Sequence, residues 1–285
     1  MARRDHAWTR ATFDGLKAIA STWQGEWLQV TDTAADRVDD CPSQALGGEF
    51  PGWNSVRAAR QVGLAAAQTK IADARLAVRE AMKSLLGDAD ETRTMQRVQD
   101  WLVTLSHPAR LDVADEALRW LVAWRSICPD APESSFLYGG ALRCKVTENV
   151  SLRISIDLCY REPGSVDHTA LVSLGGPPDH ERDRAAAARV ALVMWLRSTS
   201  VATVLVAHPA ARSIEEFDVD LELVSLGAEQ FRSAMRVVTR QAAGVEEAPA
   251  IAGPQCRWCD KRNDCPTGRS YLETQPRLVG GLPLG

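Results

Sequence analysis

The chain has 285 residues, a formal net charge of −4, 45% hydrophobic residues and 25% charged residues. These values exclude a disordered or collagen-like chain and leave ample length for a buried core. No apolar stretch of membrane-spanning length and no signal peptide is visible, so a cytoplasmic protein without a membrane partner is expected.

Residues 7–29 are rich in Ala, Trp and Leu and predict a short helix. VTDTAADRVDDCP follows, with turn residues around Asp39, Asp40 and Pro42, and GGEFPGWN at 47–54 reads as a loop. Residues 55–87 predict one long helix ending at Gly87. Two more helices are expected over 90–106 and 111–127, bounded by Pro108 and Pro129. From 136 to 176 the pattern becomes strand-like. In SLRISIDLCY, Leu152, Ile154, Ile156 and Leu158 should share one face, and Arg153, Ser155, Asp157 and Cys159 the other. HTALVSLGG is a further short strand, 179–198 a helix, and VATVLVAHP a buried strand. FDVDLELV at 217–224 reads as a strand and 227–243 as a helix, with an irregular tail beyond Thr274. The order implies an α/β fold, a mixed central sheet flanked by helices. One domain over 1–285 is expected: a mainly helical part (1–130), the sheet core (131–245), a cysteine segment (246–270) and a tail (271–285).

The unusual count is seven cysteines: Cys41, Cys128, Cys144, Cys159, Cys256, Cys259 and Cys265. An odd number without a secretion signal argues against a disulfide framework. Cys256, Cys259 and Cys265 lie within ten residues, a spacing that suits a metal ion or an iron–sulfur cluster. A fourth ligand must come from elsewhere. Cys144 and Cys159 fall in predicted strands and Cys128 at a helix end. Cys41 sits in a polar turn and precedes Pro42, as Cys265 precedes Pro266, and is preferred on local context.

A lone N-terminal cysteine, about two hundred residues of helices and mixed sheet, then C-x2-C-x5-C resembles the iron–sulfur branch of the PD-(D/E)xK nuclease superfamily, which includes RecB-like exonucleases and AddB-like subunits. Trp258, before the second cysteine of the pair, agrees with it. The resemblance implies a restriction-endonuclease-like core and a [4Fe–4S] cluster held by Cys41, Cys256, Cys259 and Cys265, joining the two ends of the domain. It also implies that Asp157 is the strand aspartate that binds a divalent metal. The motif's second acid and lysine would fall at Ser173 and Gly175, and no metal-binding His follows Gly63. Asp157 therefore stands as a remnant ligand, with Mg²⁺ or Mn²⁺ needed only if the site is active. Acids that could migrate into the site are Glu162, Asp167, Asp179, Glu181 and Asp183, and Arg184 could replace the lysine's charge.

A decayed nuclease can still bind DNA. Arg153, Arg182, Arg184 and Arg189 are the phosphate-contact candidates, and Trp53 and Trp258 could stack on bases. The implied function is an accessory, nuclease-inactive DNA-binding subunit in DNA repair, recombination or phage defence, partnered by a helicase or another nuclease-complex subunit. The alternatives are an active exonuclease with a rearranged site and an interaction subunit without DNA contact.

Overall fold

The alternating segment SLRISIDLCY becomes the centre of a mixed six-stranded sheet in the computed structural model. The structure describes residues 6–41, 55–86, 102–127, 137–161, 164–197, 199–244, 249–253, 256, 259 and 264–274. The central strand is β3 (Val150–Tyr160). β2 (Leu137–Lys145) runs antiparallel along one edge of it. The other edge is divided. β1 (Leu28–Thr31) pairs in parallel with Val150–Arg153, and β4 (His168–Ser173) pairs antiparallel with Leu158–Tyr160. β5 (Val201–His208) then lies parallel to β4, and β6 (Ser213–Asp218) antiparallel to β5.

The N-terminal helices are α1 (His6–Ala20), α2 (Asp32–Asp40), α3 (Ser55–Ala67), α4 (Ala74–Leu86) and α5 (His107–Ile127). Later come α6 (His180–Leu196), α7 (Leu221–Ala242) and α8 (Pro266–Thr274). The main core joins α1, α2, α6 and α7 to the sheet. A second cluster holds α3, α4 and α5 together. A third ties Leu64 of α3 and Trp124 of α5 to Leu158, Leu171 and Leu205. Helix α6 explains its own composition. The run AAAARVALVMW is buried from Ala186 to Trp195, and a helix apolar all round must be enclosed. Asp179 caps its start by accepting the Arg182 N–H at 3.1 Å.

Several expectations change. The single helix over 55–87 is two helices, because Asp73 accepts the Leu76 N–H at 2.7 Å and starts α4 afresh. The stretch before Pro42 contributes to β1 and forms α2, which takes in Asp39 and Asp40; the Thr31 hydroxyl accepts the Ala34 N–H at 3.0 Å and caps that helix. Pro108 lies in the first turn of α5, where its missing N–H costs nothing. Of the helix expected over 90–106, residues 102–106 are described; 102–104 are helical and Leu105 and Ser106 are not. FDVDLELV is not one strand: β6 ends at Asp218, Asp220 accepts the Leu223 N–H at 2.8 Å, and α7 begins at Leu221. Leu158 leaves the core that holds Leu152, Ile154 and Ile156 and joins the third cluster, while Cys159 joins the main one. The strand is buried on both faces, so apolar alternation alone does not sort its sides. The segment 47–54, Cys128, Glu162, Trp258 and the tail beyond Thr274 lie outside the described residues. No helix of the described residues is long and apolar enough to cross a membrane.

Candidate functional site

The divided edge of β3 makes a crevice. β1 and β4 approach it from opposite ends, and both point their carboxyl ends at the residues left between them, Ile154 to Asp157. Strand carboxyl ends that meet at a break in pairing are where open α/β sheets place their ligand sites. The crevice encloses about 180 Å³ and is lined by Asp32, Asp36, Ser155, Asp157, Ser173, Arg60 and Arg189 among others.

Asp157 is buried, and both oxygens of its carboxylate accept hydrogen bonds. The Gln61 amide donates to Oδ1. The backbone N–H and the hydroxyl of Ser173 both donate to Oδ2, each at 2.6 Å. Ser173 therefore does meet Asp157, sixteen positions apart, but as a donor rather than a second acid. Gly175 offers only a carbonyl, which accepts from Arg182 at 2.9 Å.

Asp32 opens α2 beside the same gap. Its Oδ2 accepts the Ser155 N–H at 2.9 Å and its Oδ1 accepts the Thr33 N–H at 2.8 Å. Burial raises the Asp32 carboxyl above its ordinary range, while those two N–H groups and the Arg189 and Arg153 guanidiniums pull it down. Asp32, Asp36, Arg60 and Gln61 come from the helical N-terminal part. Sequence reasoning missed them because only tertiary contact brings them to Asp157. The Thr31–Asp32 capping pattern was the one local signal available. None of Asp167, Asp179, Glu181 and Asp183 lines the crevice. Asp167 holds Ser200, Asp179 caps α6, and Asp183 pairs with His208.

The four arginines divide. Arg153 is 8% exposed and donates to Gln29 at 3.2 Å, so it faces inward. Arg189 is 5% exposed, lines the crevice, and donates to Asp36 at 3.1 Å and Gln230 at 3.4 Å. Arg182 is exposed on the Gly175 carbonyl, and Arg184 pairs with Glu222 rather than replacing a lysine. The Nε–H groups of Arg60 and Arg189 are buried without a hydrogen-bond partner.

The cysteines lie apart from the crevice. Cys41 follows α2 directly, is buried, and accepts the Ile251 N–H on its sulfur at 3.4 Å. Cys256 is bonded through its own N–H to the Gly253 carbonyl at 3.0 Å, and Cys259 N–H meets the Cys256 carbonyl at 3.4 Å. Cys265 accepts the Gly268 N–H at 3.3 Å. A Cβ at Gly268 would stand 3.7 Å from the sulfurs of both Cys256 and Cys265. Among the described residues, no three His, Cys, Asp or Glu side chains are close enough to share a metal ion. The donor set itself suits a soft centre: four thiols, two of them accepting backbone N–H bonds of the kind that stabilise metal thiolates.

Cys144 and Cys159 are buried in the main core, as expected of small apolar side chains. Burial pushes the Cys159 thiol up to about 11 and raises that of Cys144, whose shift Arg197 partly opposes. At about pH 8 only one Cys159 in roughly a thousand is thiolate. Iodoacetamide should therefore leave Cys159 and Cys144 unlabelled in the folded protein and label both in denaturant. Mass spectrometry showing labelling at the denatured rate without denaturant would contradict this.

No family model matches this chain, and no curated protein matches it. Among solved structures, one described as "Crystal structure of SSO0001" is 11% identical, aligned over 93% of this chain and 99% of that chain, with a TM-score of 0.32. That likeness is too weak to bear on fold or function.

Proposed function

We propose that the chain is an iron–sulfur, RecB-like protein of the PD-(D/E)xK type that binds DNA without cleaving it, serving as an accessory subunit in DNA repair, recombination or phage defence. The observation that carries the loss of cleavage is the occupation of Asp157. Three donors from Gln61 and Ser173 converge on one carboxylate. A carboxylate has about four acceptor sites. Three donors leave about one of those sites for a divalent cation, and Ser173 and Gly175 bring no charge to help hold it.

Cys41, Cys256, Cys259 and Cys265 are the residues that would hold the [4Fe–4S] cluster. The contact between Cys41 and Ile251, five residues before Cys256, supports a closure of the two ends of the chain at that point. The cluster would supply a covalent tie there, and the residues around it supply backbone N–H donors to the sulfurs.

A second reading, an active divalent-metal-dependent exonuclease with a rearranged site, is favoured by one observation: Asp32 and Asp36 line the crevice with Asp157. One set of measurements decides between them. Anaerobically purified protein should be brown, with broad visible absorbance lost in Cys259→Ala; a colourless, zinc-containing protein would overturn the cluster. With Mg²⁺ or Mn²⁺, neither single- nor double-stranded DNA should be cut. Cleavage abolished by Asp157→Ala would establish the second reading.

A further inference from the structure

A second cleft, which shares no lining residue with the crevice, lies between the end of α1 and the turn that joins β2 to β3. It encloses about 560 Å³ and is lined by Lys17, Ser21, Trp23, Lys145, Thr147 and Glu148 among others. The chain has 33 basic residues, of which only Lys17, Lys70, Lys83, Lys145 and Lys261 are lysines. Two of these, far apart in sequence, line this one cleft.

Among the described residues, no ion pair or side-chain hydrogen bond engages the ammonium of Lys17 or Lys145, whereas Lys83 is held by Glu80 at 2.8 Å. The usual reason for a lysine in a last helical turn is to satisfy carbonyls and offset the helix dipole. At α1 other groups do that work. The Ser21 hydroxyl donates to the Lys17 carbonyl at 2.8 Å, the Thr22 hydroxyl to Ile19 at 2.7 Å, and the Trp23 N–H to Ala20 at 3.1 Å. Lys17 is left free to act on something outside the helix.

The cleft also has a fixed aromatic wall. The Trp23 indole N–H donates to the Glu26 carbonyl at 2.6 Å. Gly25 packs against that ring so closely that a Cβ there would overlap it. On the far side, the Thr147 hydroxyl oxygen accepts the Val150 N–H at 3.1 Å, which leaves its proton available to a ligand. Glu148 is the acid among the lining residues, and the two cations outweigh it.

We propose that this cleft binds the phosphate and base of a nucleotide unit, with Lys17, Lys145 and the Thr147 hydroxyl on phosphate oxygens and Trp23 as the stacking surface for the base. The unit is either a free nucleotide or part of a single strand. Only the latter source rests on the DNA-binding reading above.

The test uses two probes, dTMP and a fluorescent oligo-dT, with the full-length protein. Binding is measured by calorimetry for the first and anisotropy for the second. The double variant Lys17→Gln/Lys145→Gln should weaken both at least tenfold. For the oligonucleotide, losing two phosphate contacts should also reduce the log–log salt slope by about 1.4. Lys83→Gln should change neither. If wild type binds oligo-dT and the double variant binds it equally, the cleft proposal is overturned while the DNA reading stands. If wild type binds dTMP but not oligo-dT, the cleft stands and single-strand binding falls. If it binds neither, both fall.

Discussion

His208→Ala should lower the stability of the protein by about 3–5 kcal/mol. His208 and Asp183 are 1% and 0% exposed and face each other at 2.8 Å across the start of α6 and the end of β5. The other ring nitrogen, Nδ1, lies 3.2 Å from the Gly176 carbonyl, which can only accept, so Nδ1 carries a proton. Nε2 faces the Asp183 carboxylate oxygen Oδ2. Without the imidazole, Asp183 keeps no side-chain partner, because its Oδ1 already has none. The loss corresponds to roughly 6–10 °C in melting temperature for a chain of this size. The double variant His208→Leu/Asp183→Ala should recover more than half of it, since removing both polar groups leaves no stranded charge. A single variant melting within a degree of wild type would show that the pair is solvated or mobile.

Gly227→Val should cost at least about 3 kcal/mol, at the upper end of overpacking effects. A Cβ at Gly227 in α7 would overlap the Ala188 carbonyl oxygen of α6 and approach its carbon to 2.7 Å. Backbone cannot yield as a side chain can, so the two helices must separate. Gly15→Ala gives the contrast. Its Cβ would meet only the flexible end of Arg232, at 3.6 Å, so the substitution should stabilise α1 by up to about 1 kcal/mol. Equal melting temperatures for the two variants would refute the close crossing. The displacement would also reach the crevice, because Arg189 follows Ala188 and lines it.

The sheet core was legible because β3, β4 and β5 carry their own local signals: alternation in SLRISIDLCY, the short run HTALVSLGG, and a valine-rich run at 201–209. β1 was not legible. Four residues carry too little pattern, and the strand exists because Leu28–Thr31 finds Val150–Arg153 far along the chain. The same reason hid most of the crevice. Asp157 stands out on a strand, but Gln61 and Asp32 look ordinary on their own helices until folding sets them against Asp157 and Ser155. Arg153 and Arg189 were placed on the right elements, yet sequence does not reveal that internal acceptors already hold them.

Helix α2 is a rod of nine residues, about 13 Å long, with a different task at each end. At its first residue, Asp32 takes the β3 amide that no neighbouring strand reaches. Just past its last, Cys41 is fastened to the segment that leads into the cysteine cluster. One short helix thus spans the distance between Cys41 and one wall of the crevice. If Cys41 holds the proposed centre, that centre and the crevice share one rigid element, although no cysteine lines the crevice.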